Sequence, residues 1–335
     1  MTGDILQFVG TALVIIVAGT VLTRCADAIA DLTGLGKLLV GSILLAGATS
    51  LPELSVDISA VYRENLPDLA VGDLLGSSLF NLLILAVLDL FHQQRGRMFS
   101  RMSAAHALSG TMSMTLMAIV GMSLVLGKKL DFTIGLVGPG SLALLGAYLL
   151  GIRLVYYDQR YAATAQGTPD QEVLQPAGHM SLRTAIAGYV AAALVILLVA
   201  PLVASAAGSI AEKTGLGSTF VGTTLVALCT SLPELVSTIA AVRLGAYDLA
   251  IGNIFGSNAF NMILFVPLDL VYNGALLANV SQTHAVTCLA AILVTSVAIM
   301  GQLYHAEKRV LLLEPDAAAI ILLVISALAM VYYLP

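Results

Sequence analysis

The sequence predicts an all-α integral membrane protein of about ten transmembrane helices, arranged as two inverted five-helix repeats with interrupted helices near the bilayer midplane. Three observations predict this fold class. The 335 residues are 59% hydrophobic and 10% charged, with a mean hydropathy of +0.95, whereas a soluble protein is about 25% charged. The apolar residues form runs of about 20, the length that spans a bilayer. The same motifs also occur in both halves of the chain.

Ten apolar runs account for most of the chain. The predicted spans are residues 5–23, 38–61, 68–91, 104–126, 132–155, 184–207, 218–242, 248–272, 283–303 and 312–333. Continuous apolar runs exclude a porin-like barrel, whose strands alternate apolar and polar residues. No Lys or Arg precedes the first run. We therefore expect a retained span there rather than a cleaved signal peptide, which needs a basic start.

The distribution of Lys and Arg predicts the orientation, because cytoplasmic loops carry an excess of both. With the N-terminus outside, four basic residues fall on the outer side and eleven on the inner side. The outer residues are Arg63, Lys128, Lys129 and Lys213; the inner ones are Arg24, Lys37, Arg95, Arg97, Arg101, Arg153, Arg160, Arg183, Arg243, Lys308 and Arg309. We expect both termini outside and a location in the plasma (inner) membrane.

The two halves of the chain are copies of one another. Between Gly41–Tyr62 and Gly222–Arg243, 12 of 22 aligned residues are identical, and between Asp68–Leu90 and Asp248–Leu270, 11 of 23 are identical. Each copy holds about five spans, and because five is odd the second copy enters the membrane from the opposite side. The sequence therefore predicts an inverted repeat, as in many secondary transporters, whose binding sites lie near the midplane.

The repeats set the predicted domain boundaries. We assign residues 1–157 to the first repeat, with its motifs at 41–90, and residues 181–335 to the second, with its motifs at 222–270. Residues 158–180 are polar and contain Gly and Pro, which predicts a linker. The charge distribution predicts that this linker is cytoplasmic, and it is too short to hold a folded regulatory domain.

One stretch, Thr-Ser-Leu-Pro-Glu-Leu, occurs at residues 49–54 and again at 230–235. It places Glu53 and Glu234 inside apolar runs, where an ionisable residue marks a functional site by default. The proline before each glutamate cannot donate an N–H, so carbonyls about one turn earlier lose their partner. In lipid such carbonyls need another partner. A bound cation, held by the glutamate, would supply it.

The possible ligands suit Ca²⁺. Two bidentate glutamates contribute four oxygens, and the freed carbonyls of Thr49 and Thr230 contribute two more. Ca²⁺ takes about six to eight oxygen ligands, and two carboxylates match its charge. Neither His nor Cys joins the set, which argues against Zn²⁺ or Cu⁺. A simple kink at each proline, or a glutamate paired with an asparagine, is the alternative, and either would have to occur twice.

A second motif, Gly-Ser-x-x-Phe-Asn, also occurs in both halves, and we expect it to interrupt its helix. Ser77 and Asn81 are four residues apart and therefore share a helix face, as do Ser257 and Asn261. Glycines beside these faces allow close approach of another helix. The hydroxyls and amides suit smaller monovalent ions. Hydrogen bonding between neighbouring helices is the alternative.

Two aspartates break the symmetry between the halves. Asp57 lies four residues after Glu53, whereas its counterpart is Thr238. It is either a third site carboxylate or a gate near the membrane edge. Asp73 has Asn253 as its counterpart, and we expect it to cap a helix start, with a place in the ion site as the alternative.

These paired signatures resemble the two α repeats of sodium/calcium exchangers, which belong to the calcium/cation antiporter superfamily. The resemblance covers both repeats closely, and the ten-span layout extends it to the whole chain. It implies a long tilted pair of helices, here the first and sixth, that slides past an eight-helix core. The large cytoplasmic Ca²⁺-binding domains of animal exchangers are absent from this sequence, which is typical of prokaryotic members.

The resemblance also implies which residues bind the ions. Glu53, Glu234 and the carbonyls of Thr49 and Thr230 would bind Ca²⁺. Flanking Na⁺ sites and a central ring would use Ala46, Ser50, Ser77, Asn81, Ala227, Ser231, Ser257 and Asn261. Both ions are transported substrates, and we expect no cofactor.

The function that the resemblance implies is secondary antiport, with Ca²⁺ exported against inward Na⁺. Asn261 stands where the potassium-dependent branch has Asp, which argues against K⁺ co-transport. Asp73 and Ser78 stand where family members commonly have Asn, and this asymmetry, together with Asp57, leaves H⁺/Ca²⁺ exchange on the same fold as the alternative. Proton/calcium exchangers usually show a Gly-Asn-x-x-Glu-type motif in place of Thr-Ser-Leu-Pro-Glu, which favours Na⁺.

Two other classes fit the sequence less well. An intramembrane hydrolase could use paired carboxylates, but the sequence has no Gly-x-Gly-Asp pairing, so we expect no enzyme activity. A cation channel would transport without a counter-ion gradient. The expected partners are Ca²⁺, Na⁺ and membrane lipid, with no nucleic acid and no obligate protein partner.

Overall fold

The structure of the protein is a computed structural model, which describes residues 2–63, 65–91, 103–165, 180–214, 227–304 and 315–333. Regular structure in these ranges is helical, apart from one bridge between Ile134 and Val137. The α-helices are α1 (Thr2–Thr33), α2 (Lys37–Val40), α3 (Ala46–Thr49), α4 (Leu51–Tyr62), α5 (Pro67–Phe91), α6 (Ser103–Leu126), α7 (Pro139–Ala165), α8 (Leu182–Thr214), α9 (Leu232–Arg243), α10 (Tyr247–Ile263), α11 (Phe265–Tyr272), α12 (His284–Tyr304) and α13 (Pro315–Tyr333).

Seven stretches within these ranges are helical, long and apolar enough to cross a membrane, and an eighth is the bent segment from Lys37 to Tyr62. The protein is therefore an all-helical, multi-pass membrane protein. A shorter apolar helix, Ala317–Met330, lies in the last predicted span. The predicted span 218–242 begins outside the described residues and continues as α9. The total of ten spans stays a prediction.

The second motif of each half does not interrupt its helix where we expected. Helix α5 continues without a break through Gly76–Asn81, and α10 continues through the corresponding residues to Ile263. These residues keep their N–H donors, so the helical hydrogen bonds continue. The break in the second half falls later, at Leu264, because Pro267 has no N–H to donate to Ile263.

Two boundaries around α7 also differ from the predicted ones. The helix begins at Pro139, a residue favoured at the first position of a helix, whereas the predicted span began at residue 132. It continues to Ala165, so residues 158–165 of the predicted linker are helical. Residues 166–179 of that linker lie outside the described residues.

Helices α1 and α8 form a long pair that packs side by side. They contain 32 and 33 residues, and their contact is built from small side chains such as Ala26 and Ala192. Residues on the face of α1 that is not packed against the rest of the protein are exposed, with Leu6 73% exposed, as expected for a face that contacts lipid. The main core lies beside this pair and includes Leu74, Leu116 and Phe255 from α5, α6 and α10.

Glycines let α10 cross the first half of the chain at short range. A Cβ on Gly252 would lie 2.6 Å from the carbonyl oxygen of Leu38, and one on Gly256 would lie 2.4 Å from the Cα of Ser42. Only hydrogen fits at these positions, so the backbones touch directly. The π-helical turn Gly41–Leu45 widens the helix at this crossing, and α3 follows it. The crossing therefore places the polar face of α10 beside the first Thr-Ser-Leu-Pro-Glu motif.

The two halves hold each other through reciprocal contacts. His106 Nε2 lies 2.9 Å from Asp248 Oδ1, and His284 Nε2 lies 3.1 Å from Asp68 Oδ1. Asp68 and Asp248 occupy corresponding positions in the repeat, and both histidines stand in Ser-x-x-His-Ala. Each half thus gives a histidine to the other half's aspartate, and this exchange is typical of two units related by a two-fold axis.

Candidate functional site

Both copies of the Thr-Ser-Leu-Pro-Glu motif break their helix in the same way. Ser50, between α3 and α4, has φ −89° and ψ 5°, and Ser231, before α9, has φ −80° and ψ 4°. The first break bends the helix by 40°. A proline follows each break in the first turn of the next helix, where its missing N–H costs least. The proline of the motif therefore accounts for the helix break in both halves.

The glutamate of each motif comes next, in the first turn of the new helix. The N–H groups at a helix start are unpaired and the helix dipole is positive there, so a carboxylate is favoured at that position. Both Glu53 and Glu234 are completely buried, and their charges act on one another. The break thus presents two acidic groups to the interior of the protein rather than to lipid.

The carboxylate oxygens of these glutamates are poorly satisfied by the protein itself. Glu234 Oε1 accepts hydrogen bonds from Ser50 Oγ at 3.2 Å and Ser257 Oγ at 3.5 Å. Glu234 Oε2 and both oxygens of Glu53 have no hydrogen-bond partner among the described residues. A buried carboxylate without a partner is strongly unfavourable, so this arrangement suits a bound cation.

Uncharged polar atoms without partners surround the same region. The hydroxyls of Ser77 and Ser231, the Oδ1 of Asn81 and both side-chain atoms of Asn261 are buried and unpaired within the described structure. Hydroxyl and amide oxygens are hard ligands that suit alkali and alkaline-earth cations. Both glutamates and these four neutral side chains, all of them residues that the sequence analysis named, therefore have buried polar atoms without a partner in the described structure.

Thr49 and Thr230 make matching contacts across the two halves. The Thr49 hydroxyl lies 3.4 Å from Asn253 Oδ1, and the Thr230 hydroxyl lies 3.4 Å from Asp73 Oδ1. Thr49 Oγ1 also lies 3.4 Å from Ser257 Oγ. Each broken helix is therefore held against the polar helix of the other half, which brings the two motifs of both halves into one region.

The carbonyls of Ala46 and Ala227, which the resemblance assigns to Na⁺, already accept hydrogen bonds. Ala46 O accepts from the backbone N–H of Ser50 at 3.0 Å and lies 3.2 Å from the Thr49 hydroxyl. Ala227 O accepts from Ser231 at 3.1 Å and lies 3.1 Å from the Thr230 hydroxyl. The Thr49 hydroxyl, which has one proton to donate, lies closer to the carbonyl oxygen of Leu45, at 3.0 Å. Since a carbonyl has two lone pairs, Ala46 O therefore keeps one of them for Na⁺.

The two asymmetric aspartates lie in the interior of the protein. Asp57 is completely buried and Asp73 is 1% exposed. The expectation that Asp73 caps a helix start is wrong, because Asp73 lies within α5, which begins at Pro67. Their carboxyl groups are close enough to interact electrostatically. Both oxygens of Asp57 and the Oδ2 of Asp73 have no hydrogen-bond donor in the described structure.

The corresponding residues of the second half satisfy one another. Asn253 Nδ2 lies 3.0 Å from the hydroxyl of Thr238 and 3.1 Å from that of Ser237. The same two positions are therefore a neutral, hydrogen-bonded pair in one half and an acidic pair in the other. No group of three acidic, His or Cys side chains suited to a metal is present in the described ranges. The acidic pair and the glutamates therefore do not form one four-carboxylate cage.

Asn258 is a site residue that sequence reasoning did not single out. It accepts a hydrogen bond from Asn81 Nδ2 at 2.9 Å through Oδ1, and its own Nδ2 donates to the carbonyl of Ser78 at 3.2 Å. It thereby orients Asn81 and joins α5 to α10. Its position opposite Ser78 in the repeat was the available signal, since Asn in place of Ser adds a second hydrogen-bonding group.

Comparison with known proteins gives matches over most of the chain. A family model described as sodium/calcium exchanger protein matches residues 4–157 and 184–334. The inner membrane protein YrbG of Escherichia coli is 31% identical over 267 residues, 78% of this chain and 78% of that protein. The sodium/calcium exchanger MaX1 of Methanosarcina acetivorans is 45% identical over 71 residues, 21% of this chain and 20% of that protein.

A solved structure shares the fold. The sodium-calcium exchanger NCX_Mj, soaked with Na⁺ and Sr²⁺, superposes with a TM-score of 0.69 at 18% sequence identity, over 97% of this chain and 97% of that chain. At this identity the likeness establishes the architecture alone. The helical order described above is thus that of a known membrane-protein fold.

Proposed function

This chain belongs to the sodium/calcium exchanger protein family, and we propose that it is a secondary antiporter that exchanges Na⁺ for Ca²⁺ across the membrane. The observation that carries the proposal is the pair of buried glutamates, one from each half, three of whose four carboxylate oxygens lack a partner among the described residues. The names of similar proteins support it, since MaX1 and NCX_Mj are both called sodium/calcium exchangers.

The charge of the site explains why the two ions would compete. Two ionised carboxylates buried away from water are unfavourable unless a cation neutralises them. One Ca²⁺ does so with hard oxygen ligands from Glu53 and Glu234 and from the Thr49 and Thr230 carbonyls. Several Na⁺ ions would do so at Ser50, Ser77, Ser231 and Ser257, with the asparagines between them. Because both ions need the same carboxylates, they bind in alternation.

Exchange rather than leak follows from the same charge. A site loaded with either ion is close to neutral, so the conformational change that exposes it to the other side of the membrane is not opposed. An empty site carries two bare carboxylates, and moving it through the bilayer is costly. The protein thus transports in both directions only when loaded, which is the requirement for antiport.

The fold suits this cycle through its repeat. The reciprocal His–Asp contacts, and the matching Thr49 and Thr230 contacts, support two halves related by a two-fold axis. In an inverted repeat such halves give two states that open to opposite sides around one central site. We further propose that both termini face outward and that K⁺ is not transported, because Asn261 supplies no negative charge.

The test measures radioactive Ca²⁺ uptake into proteoliposomes loaded with Na⁺. We expect uptake to require internal Na⁺, and Glu53→Gln or Glu234→Gln to lower it about 100-fold or more, because each removes a buried charge on which ion binding depends. Replacing internal Na⁺ by K⁺ should abolish it.

Asp131→Asn is the control for that experiment. Asp131 lies in the loop after α6, and hydrogen bonds from Asn279 and Lys128 lower the pKa of its carboxyl group. The variant thus removes an ionised carboxylate from an exposed loop and should transport as the wild type does. Uptake retained by both glutamate variants would refute the proposed site.

H⁺/Ca²⁺ exchange is the second candidate, and the acidic pair Asp57 and Asp73 favours it. Two neighbouring buried carboxylates readily share a proton, and this pair has no counterpart in the second half. The same vesicles discriminate the two functions. Uptake driven by a pH gradient without Na⁺ would favour H⁺ exchange, whereas uptake that needs Na⁺ at constant pH supports Na⁺ exchange.

A further inference from the structure

A groove opens between α1 and α9, away from the ion site. It has a volume of about 440 Å³ and is lined mainly by apolar side chains, with Ile16 from α1 and Leu235 and Ile239 from α9 among them. Arg24 and Arg243 also line it. The other lining residues within the described part of the chain are uncharged, so the groove combines an apolar wall with a pair of cations.

Two contacts beside the groove show that α1 and α9 run in the same direction. A Cβ on Gly19 would lie 2.9 Å from Val236 Cγ1, which places these residues side by side. One turn further along α1, and one residue further along α9, the hydroxyl of Thr23 lies 3.2 Å from the carbonyl oxygen of Ser237. The chain therefore advances along both helices toward the same end of the groove.

This parallel packing brings the two arginines to the same end. Arg24 follows Gly19 by five residues and Arg243 follows Val236 by seven. At about 1.5 Å per residue, they lie about 8 Å and about 10 Å beyond the contact between the helices. The two guanidinium-bearing residues are therefore at nearly the same depth, on the side that the charge distribution predicts to be cytoplasmic.

No described residue neutralises either arginine. Both are exposed, and neither forms a salt bridge within the described part of the chain. The preference for Lys and Arg in cytoplasmic loops accounts for the side on which they lie. It does not account for their meeting at the end of one apolar groove. Charge complementarity points to an anionic group between them.

The length of the groove matches one leaflet of a bilayer. Ile16 to Arg24 covers about 12 Å along α1, and Leu232 to Arg243 covers about 16 Å along α9. Half of the hydrocarbon core is about 15 Å thick. An acyl chain that begins at the arginines would thus be covered along most of its length.

We propose that this groove binds an anionic phospholipid, with an acyl chain between α1 and α9 and its phosphate between Arg24 and Arg243. Basic pockets between membrane helices on the cytoplasmic side are suited to such head groups. Helix α9 carries Glu234, and Leu232 and Leu235 on either side of it line the groove. The lipid thus contacts the helix that presents one of the two buried glutamates.

The test measures retained lipid by native mass spectrometry of the purified protein, after exchange into mixed micelles with equal amounts of phosphatidylglycerol and phosphatidylcholine. We expect the wild type to retain phosphatidylglycerol preferentially. The double variant Arg24→Gln with Arg243→Gln should lower that preference about 25-fold, or about fivefold for each arginine. Arg153→Gln with Arg183→Gln removes two charges from the same predicted side that do not line the groove, and should leave the preference unchanged.

A second variant tests the groove itself without changing its charge. Ile239→Trp fills the apolar wall and should lower retention of bound phospholipid, while its thermal unfolding and elution volume show that it remains folded. Equal retention of the two lipids by the wild type would overturn the proposal. An equal loss in both arginine double variants, or a dimer that excludes lipid from the groove, would also overturn it. These readouts do not depend on transport, so they remain valid if the proposed antiport fails.

Discussion

At the scale of single residues, the halves differ most where Asp57 and Asp73 replace Thr238 and Asn253. In the second half, the amide of Asn253 lies 3.0 Å from the Thr238 hydroxyl. In the first half, three of the four carboxylate oxygens of Asp57 and Asp73 have no hydrogen-bond donor among the described residues. The chain thus carries a source of instability in one half alone, which a purely structural role does not explain.

Replacing the acidic pair by the residues of the second half should stabilise the protein. We expect Asp57→Thr with Asp73→Asn to raise the free energy of unfolding by about 1–3 kcal/mol, because a buried acidic pair with three unpaired oxygens is replaced by a hydrogen-bonded pair. Thermal unfolding in detergent, without Ca²⁺ and at low Na⁺, measures the change.

The reverse exchange in the second half is the control for this variant. Thr238→Asp with Asn253→Asp should lower the unfolding temperature, because it creates a second acidic pair. A lower unfolding temperature in the first-half variant would contradict the prediction. Na⁺-driven Ca²⁺ uptake by the first-half variant, Asp57→Thr with Asp73→Asn, would show that the acidic pair is not required for Na⁺ exchange.

At the scale of elements, the site depends on a helix crossing that permits no side chain. Gly252 and Gly256 of α10 press against the backbone of the segment around Ser42, with Gly41 opposite. In the first half, the nearest described atom to a Cβ on the matching glycine, Gly76, is Ala227 Cβ at 3.5 Å.

Adding a methyl group at this crossing should therefore destabilise the protein. Gly256→Ala places Cβ within 2.4 Å of the Ser42 backbone, so α10 must move, and we expect a loss of about 1–3 kcal/mol in the free energy of unfolding. Gly10→Ala, at an exposed position of α1 with no described atom within 4 Å of the added Cβ, is the control and should be neutral or slightly stabilising, because Ala is the better helix former. Thermal unfolding of both variants checks this, and equal effects would show that the crossing is loose.

At the scale of the whole molecule, reciprocal contacts join the halves. The His106–Asp248 pair is the more buried of the two His–Asp pairs, with the histidine side chain 1% exposed against 17% for His284. It links α6 of the first half to α10 of the second. A hydrogen bond at that depth matters mainly because its loss leaves a polar group unsatisfied.

A double-mutant cycle tests this link between the halves. Asp248→Ala should lower the free energy of unfolding by about 1–3 kcal/mol, because His106 is left buried without its partner. Adding His106→Leu should recover most of that loss, since the buried polar group is then removed as well. Losses that simply add in the double variant, measured by thermal unfolding, would mean that the two side chains do not depend on one another.

The helices and the broken motif were predictable because their causes are local. Long apolar runs must form helices in a bilayer, and a proline breaks a helix wherever it stands. The start of α7 at Pro139 and the late break at Leu264 were missed, although Pro139 and Pro267 were visible as signals. Gly76 and Ser77 were misread, because glycine and serine keep their N–H and leave the helix intact.

By itself, the sequence determined the membrane class, the duplication and the two broken helices with their glutamates, because hydropathy, repetition and proline chemistry act over a few residues. Tertiary structure alone decided which half each side chain faces. In the folded protein, Asp73 lies inside a helix and contacts Thr230. Asn258 forms a hydrogen bond with Asn81 and orients it. Arg24 and Arg243 line the same groove. Such contacts join residues far apart in the chain, and only the packing of helices brings them within a few ångströms.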